Sequence, residues 1–508
     1  MALVSWDAAA FGAFIALVVG VSLYQGRKED TSEDYFLAGR NLTWWLIGFS
    51  LIASNISTEH FVGMAGSGFG VSGLAVASYE WIAAASLVFV GLWLLPRYLE
   101  LGIYTMPEFL EHRFGVAART LMAVYMLLAY VGVAMAAVLY SGALGLATIF
   151  GLDLVLGIWL IGLLAGAYTI YGGLKAVVWS DLIQGAALLV GGTVVMVLGF
   201  ERVGGVRAFL DTNADKLHTI LPADHPEIPW TALLLGIWIP NMFYWGCNQF
   251  ITQRTLGARS LRAGQRGIMF AAAIKLLIPF IIIFPGIMAF QLFGDRISDG
   301  DQAYAVLIQE LLPPGLRGIL FAALFGAVMS SLDSMLNSAS TIFTMDLYKR
   351  RFRADASGEH YVRVGRIATG ALVIVACLLA PLPASFEGVF NYIQMIWGFV
   401  SPGVVAVFCF AFLVPKAPHA AALVGLALGV PVYGGLLWAL PDVAFLNHMA
   451  VTFLVVIAAM TVVTFMRPRE TPFRFERKSD IDLTPDPWAR PLGMGVLLAT
   501  VALYVVFR

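Results

Sequence analysis

A chain of 508 residues that is 60% apolar and 12% charged, with a mean hydropathy of +0.83, has too little polar material to cover a water-soluble globule of its size. Apolar runs of about 18 to 25 residues recur from end to end, the length an α-helix needs to cross about 30 Å of hydrocarbon, and the short alternating segments of a barrel are absent. The formal net charge of −1 conceals an uneven distribution of cations that guides the topology.

In chain order the pattern predicts an all-α polytopic membrane protein with spans near residues 8–25, 44–68, 74–96, 120–148, 151–171, 177–200, 229–248, 267–293, 315–347, 365–382, 388–413, 419–438, 448–466 and 491–507, about fourteen transmembrane helices. Asp7 precedes the first run and Arg27-Lys28 follow it, the reverse of a signal peptide, so the first helix is expected to be retained. With the N-terminus outside, about 24 of the 31 Lys and Arg residues fall in the inner loops, about six fall outside and Lys275 lies within a span. Both termini are then expected outside the inner membrane of the cell.

No linker separates two domains, since the longest polar connections are 201–228 and 467–490; residues 1–508 read as a single membrane transport domain. In YTMPEFLEHRFG, Pro107 beside Glu108 predicts a short interfacial helix. No Walker A motif, no GxGxxG after a strand and no HExxH occurs, which argues against nucleotide-driven pumping and metallopeptidase chemistry; no enzyme is expected. Cys247, Cys377 and Cys409 fall in or beside spans without disulfide or metal spacing and read as packing residues.

Polar residues within spans are few enough to weigh singly. The second span carries Ser54, Asn55, Ser57, Thr58, Glu59 and His60 in seven positions, with a break expected at Ala53-Ser54-Asn55; the seventh offers a break at Ile239-Pro240-Asn241. Five intervening spans are the arrangement of two inverted five-helix repeats that each begin with a discontinuous helix. Unwound backbone in hydrocarbon must face a ligand, an ion or a wetted cavity. The plainer use of Ser54, Asn55 and Ser57 is to bond neighbouring helices.

Two further constellations follow. Lys275 is costly in mid-span, as is His60, and Glu80 in ASYEWIA is the natural partner for the lysine, either within a ligand pocket or as a purely structural ion pair. Tyr244-Trp245 follow the second break, and Gln394 lies in FNYIQMIWGFVSPG. Amide, ammonium, imidazole and carboxylate groups with an aromatic ring, and no nucleophile and base, suit a neutral polyhydroxylated ligand such as a sugar. Farther along, Ala327, Ser330 and Ser331 share one helix face, as do Ser330, Asp333 and Ser334. Carbonyls of Ala53, Ile56 and Ala327 with the Ser330 and Ser331 hydroxyls make a five-oxygen set for Na⁺, although a serine-rich face also serves close helix packing.

EDYFLAGRNLTWWLIGFSLIASNIS, GIYTMPEFLEHRF, AYTIYGGLKAVVWSDLIQ, FYWGCNQFITQRTL and SSLDSMLNSASTIFTMDLY resemble the sodium/solute symporter family, most closely its sodium/glucose cotransporter branch with the bacterial sodium/galactose symporters. The resemblance covers about residues 30–415. It implies a leucine-transporter-type core of inverted five-helix repeats over 40–413, an extra helix within 1–30, three additional helices over 414–508 and Na⁺-driven uptake. It assigns sugar contacts to Asn55, His60, Glu80, Asn241, Lys275 and Gln394, with Tyr244 as aromatic platform and inner gate, and Na⁺ to Ala53, Ile56, Ala327, Ser330 and Ser331. His60 stands where the bacterial galactose pattern has glutamine and the animal glucose cotransporters have histidine. Asp333 replaces an alanine of that pattern, and with Asp181, Ser330 and Ser334 it forms a candidate second sodium site.

The expected function is thus symport of Na⁺ with a neutral hexose across the bilayer by alternating access. The alternatives are a polyol such as myo-inositol, another small organic solute such as a sialic acid or an amino acid, or a sugar sensor that binds without translocating.

Overall fold

The computed structural model describes residues 5–27, 31–57, 59–382 and 389–508. Among these the regular structure is helical, and extended pairing is confined to isolated bridges such as Leu42 with Ala258. Among the described residues ten helices are long and apolar enough to cross a bilayer, from Trp6–Gln25 to Ala489–Val506. Their outward faces carry large apolar side chains, Leu163, Leu378 and Val501 among them, each more than half exposed. Such an exterior fits lipid, whose tails are as apolar as leucine.

Leu154–Arg202 is continuous by hydrogen bonding over 49 residues. At 1.5 Å per residue it would extend about 74 Å, more than twice the hydrocarbon thickness. It turns at Gly173, whose φ of 52° and ψ of −148° suit only glycine. A Cβ there would collide with the Tyr35 carbonyl oxygen, so the expected spans 151–171 and 177–200 meet at a corner no other residue can occupy.

The centre of the bundle is Leu316–Thr341, in which every residue from Phe325 to Thr341 is buried. It packs against Leu154–Arg202, Ser5–Gln25 and Trp44–Asn55. Its small residues permit that proximity, as does Gly185 opposite Trp44–Asn55, where an added Cβ would lie 2.8 Å from the Ala53 Cβ. The start of the central helix is held by Asp7 of the first helix, whose Oδ1 accepts from the Gly315 N–H at 2.6 Å and the Gly318 N–H at 3.1 Å. A carboxylate there satisfies free helical donors and complements the helix dipole.

Beyond Phe445–Met466 the chain crosses the ends of several helices without forming one. The Lys478 N–H donates to the Glu100 carbonyl at 2.9 Å, the Leu261 N–H to the Asp482 carbonyl at 2.8 Å and the Phe473 N–H to the Pro415 carbonyl at 3.0 Å. This segment brings the start of Ala489–Val506 beside the ends of Gly73–Leu101 and Leu261–Phe293.

Candidate functional site

The second span is interrupted slightly later than expected. Helix Trp44–Asn55 includes Ala53, Ser54 and Asn55; the chain leaves it at Ile56, with φ −74° and ψ 101°, and resumes in a π-helical turn over Glu59–Met64. Thr58 lies outside the described residues, as does Lys28. His60 redirects the backbone at this point. In an unbroken α-helix the Ser57 N–H would close on the Ala53 carbonyl and the His60 N–H on the Ile56 carbonyl. Instead the Ser57 N–H donates to His60 Nδ1 at 3.5 Å, and the His60 N–H donates to the Ser57 carbonyl at 3.1 Å. Ala53 and Ile56, two of the five residues expected to hold Na⁺, thereby lose the donors an α-helix would supply.

The seventh span breaks elsewhere than expected. Pro240 and Asn241 lie inside the short helix Trp238–Met242, after a turn at residues 236–237. As the third residue of that helix Pro240 occupies a position whose N–H has no helical acceptor, so its missing donor costs nothing there. The chain becomes extended at Asn248, with φ −88° and ψ 123°, between the π-turn Phe243–Cys247 and Gln249–Leu256. Here the Asn248 carbonyl and side-chain oxygen find partners within the protein, while its buried side-chain N–H₂ has none among the described residues. The Tyr130 hydroxyl donates to Asn248 Oδ1, and the Asn248 carbonyl accepts from the Thr252 N–H at 3.0 Å and the Thr252 hydroxyl at 2.9 Å.

Between the two interrupted helices lies a cavity walled by side chains of both. Six of the seven residues expected to contact substrate line it: Asn55, His60, Glu80, Asn241, Tyr244 and Gln394. The Asn241 side-chain amide donates to the Ile237 carbonyl at 3.0 Å, and that of Asn55 donates to the Tyr244 hydroxyl at 3.2 Å. The Tyr244 ring is held edge-on by Trp245 and Phe250 at centroid distances of 5.2 and 5.3 Å.

Lys275, the seventh, does not line the cavity. It is wholly buried behind the wall, where its ammonium donates to Glu80 Oε2 at 2.5 Å and to Asn55 Oδ1 and lies 5.0 Å from the centre of the Trp245 ring. Its charge is thus met within the protein by the Glu80 carboxylate, with Asn55 accepting a second hydrogen bond. Glu80 Oε1 faces His60 Nε2 at 3.3 Å. Because His60 Nδ1 accepts the Ser57 N–H, the ring proton belongs on Nε2, and the imidazole donates to Glu80 while neutral. Sequence reasoning does not single out Tyr79, which lines the cavity and hydrogen-bonds Gln394, nor Trp397, which also lines it; Glu59, one of the polar cluster in the second span, lines it too. The signal for Tyr79 is its place next to Glu80 in the chain.

The ion-binding candidates sit one layer away. Ala53, Ile56, Ala327, Ser330 and Ser331 are all buried, and the Ser331 hydroxyl reaches the Ser54 carbonyl at 3.4 Å, joining the end of the broken helix to the central helix. The Ser330 hydroxyl donates to Asp181 Oδ1 at 2.5 Å. The residues of the candidate second site do meet: Ser334 donates to Asp333 Oδ1 at 3.2 Å, and the Tyr168 hydroxyl donates to Asp333 Oδ2. A cation already stands among them. Arg254 donates to Asp181 Oδ2 at 3.2 Å, to the Ser50 hydroxyl at 3.0 Å and to the Ser334 hydroxyl, with no exposed surface. By sequence Arg254 belongs with the loop cations; the structure buries it with the whole of Gln249–Leu256. The polar run over 249–255, relieved only by Phe250 and Ile251, is the clue that this segment does not face water or lipid alone.

A family model described as the sodium:solute symporter family matches residues 35–429. The chain is 38% identical to the sodium/glucose cotransporter of Vibrio parahaemolyticus, over 99% of its own length and 98% of the relative's. It is 36% identical to sodium/myo-inositol cotransporter 2 of Mus musculus, over 84% and 68% of the two lengths. A solved structure of a Na⁺-coupled sialic acid symporter in a substrate-bound outward-open state matches with a TM-score of 0.83 at 24% identity, covering 92% of this chain and 99% of that one.

Proposed function

We propose that this chain, which belongs to the sodium:solute symporter family, takes up a neutral hexose together with Na⁺. It is a sodium-coupled membrane transporter and not an enzyme. The observation that carries the hexose reading is the cavity itself. Asn55, His60, Glu80, Asn241 and Gln394 surround it with donors and acceptors, while the nearby cation, Lys275, is neutralised by Glu80 and turned out of reach. A ligand with many hydroxyls and no charge uses such a wall fully.

In this reading Na⁺ rests among the carbonyls of Ala53, Ile56 and Ala327 and the hydroxyls of Ser330 and Ser331, and Arg254 holds Asp181 so that one Na⁺ suffices beside the Asp333 network. His60 links the two cargoes: its ring lines the sugar cavity and also takes the N–H that would otherwise cap the Ala53 carbonyl. Ordering of one site then favours the other, reciprocally. The corner at Gly173, the two interrupted helices and residues 389–413 added to the remaining long helices support fourteen crossings with a core of inverted repeats over 40–413, both termini outside and the inner membrane as location.

A cyclic polyol is the second reading, supported by the myo-inositol cotransporter among the relatives and by a wall of donors and acceptors that suits any ring of hydroxyls. Uptake of labelled hexoses and myo-inositol into proteoliposomes, with and without an inward Na⁺ gradient, tests both. Na⁺-dependent accumulation of a hexose is expected. Accumulation of inositol alone selects the second reading, and binding without counterflow would leave a sensor.

A further inference from the structure

A large groove outside the central cavity, about 960 Å³, opens where Ala489–Val506 begins beside the ends of Gly73–Leu101 and Leu261–Phe293. One wall is a stripe of the last helix, with Arg490, Met494 and Leu497 at i, i+4 and i+7. Val88, Leu92 and Pro96 form the opposite wall, and Gly493 lets the helices close, since a Cβ there would lie 2.8 Å from Val88 Cγ1. Trp93, 69% exposed, stacks parallel on Phe89 at 6.0 Å beside the groove. Indoles of this kind settle at the level of lipid headgroups.

The polar residues sit at the mouth. Asp486 is buried, its carboxylate bound by Arg266 and by the Trp488 N–H at 3.0 Å, while its own N–H donates to Gln265 Oε1 at 2.8 Å. The nearby Glu100 is bound by Arg97 at 2.7 Å. Each of these acids therefore has its cation. Among the described residues Arg490 has neither an ion pair nor a hydrogen bond, although it lines the groove.

We propose that this groove is a binding site for a phospholipid with an anionic headgroup, the phosphate on Arg490 and an acyl chain along Met494, Leu497, Leu92 and Val88. A soluble anion would satisfy Arg490 and leave the apolar walls wet. A hydrocarbon would cover the walls and leave the cation unpaired. An amphiphile with negative charge at its head matches both at the depth where they occur. A bound lipid also ties the last helix to the helix that carries Glu80.

Native mass spectrometry of the purified full chain in detergent, with phosphatidylglycerol and phosphatidylcholine added at equal concentration, tests the site. Wild type should retain phosphatidylglycerol about fivefold better, the factor expected from one arginine near a lipid surface. Arg490→Gln should abolish the preference, and Arg207→Gln, on the exposed helix Val206–Thr212, should keep it. Leu497→Trp should fill the groove and reduce retention of both lipids. Equal retention by wild type, an unchanged preference in Arg490→Gln, or full retention in Leu497→Trp overturns the proposal. So does a thermal shift with inorganic phosphate equal to that with phosphatidylglycerol.

Discussion

The two interrupted helices differ in what they leave open. At Asn248 the oxygens are taken by the protein itself, Tyr130 on the side-chain oxygen and Thr252 on the carbonyl. At Ile56 and Ser57 the backbone leaves the helix, with the Ser57 N–H on His60 Nδ1, and the Ser54 carbonyl is met by the Ser331 hydroxyl of the central helix. Hydrocarbon tolerates irregular backbone only where its groups find partners. At one break the oxygens are consumed by the protein; at the other they adjoin the hydroxyls of the central helix.

The contrast can be attacked at several points. Lys275→Ala strikes the open break hardest, because Glu80 is left buried without its cation and Asn55 without its donor. A loss of about 3–5 kcal/mol is expected. The melting temperature should collapse with transport, and Lys275→Met with Glu80→Gln should recover the fold but not uptake. Ser331→Ala should raise the Na⁺ concentration for half-maximal uptake about tenfold, or about 1.4 kcal/mol, and the sugar requirement at low Na⁺ by the same factor. Na⁺ titration of uptake reads this directly, and an unchanged titration removes Ser331 from the site. Asn248→Ala, at the closed break, should cost about 1 kcal/mol of thermal stability with the Na⁺ titration unmoved. If sodium affinity falls there as well, the two breaks are not distinct in kind. The smallest effect is expected of Gln394→Ala, a rise of about two- to fivefold in the sugar concentration for half-maximal uptake, for one lost hydrogen bond at a wetted wall.

Much of the first break was legible because a dense cluster of polar residues inside an apolar run is too costly in hydrocarbon unless something there solvates it. Its position shifted to Ile56 because the cause is a histidine ring reaching back to Ser57, a contact no periodicity encodes. Pro240 misled for the opposite reason: a proline signals a break only when it removes a bond, and as the third residue of a helix it removes none. The pairing of Lys275 with Glu80 followed from the cost of an isolated ammonium, but whether the lysine faced the cavity or stood behind it depended on Asn55 and Trp245 across the bundle. Arg254 was hidden by its neighbours in sequence. Arg259, Arg262 and Arg266 follow closely, and an arginine at the edge of a basic loop reads as topology until Asp181, more than seventy residues earlier, is known to touch it.

The burial of Lys275 against Glu80 has an electrical consequence. Since both partners are fixed in the protein and cancel, the neutral solute proposed above would travel with no compensating charge of its own, and each sodium ion carried would move one positive charge through the membrane field. That charge is worth about 2.3 kcal/mol per 100 mV, roughly a fiftyfold accumulation ratio. Voltage as well as the ion gradient would then load the cell, and a potassium diffusion potential, negative inside, should accelerate uptake even where sodium is equal on both sides.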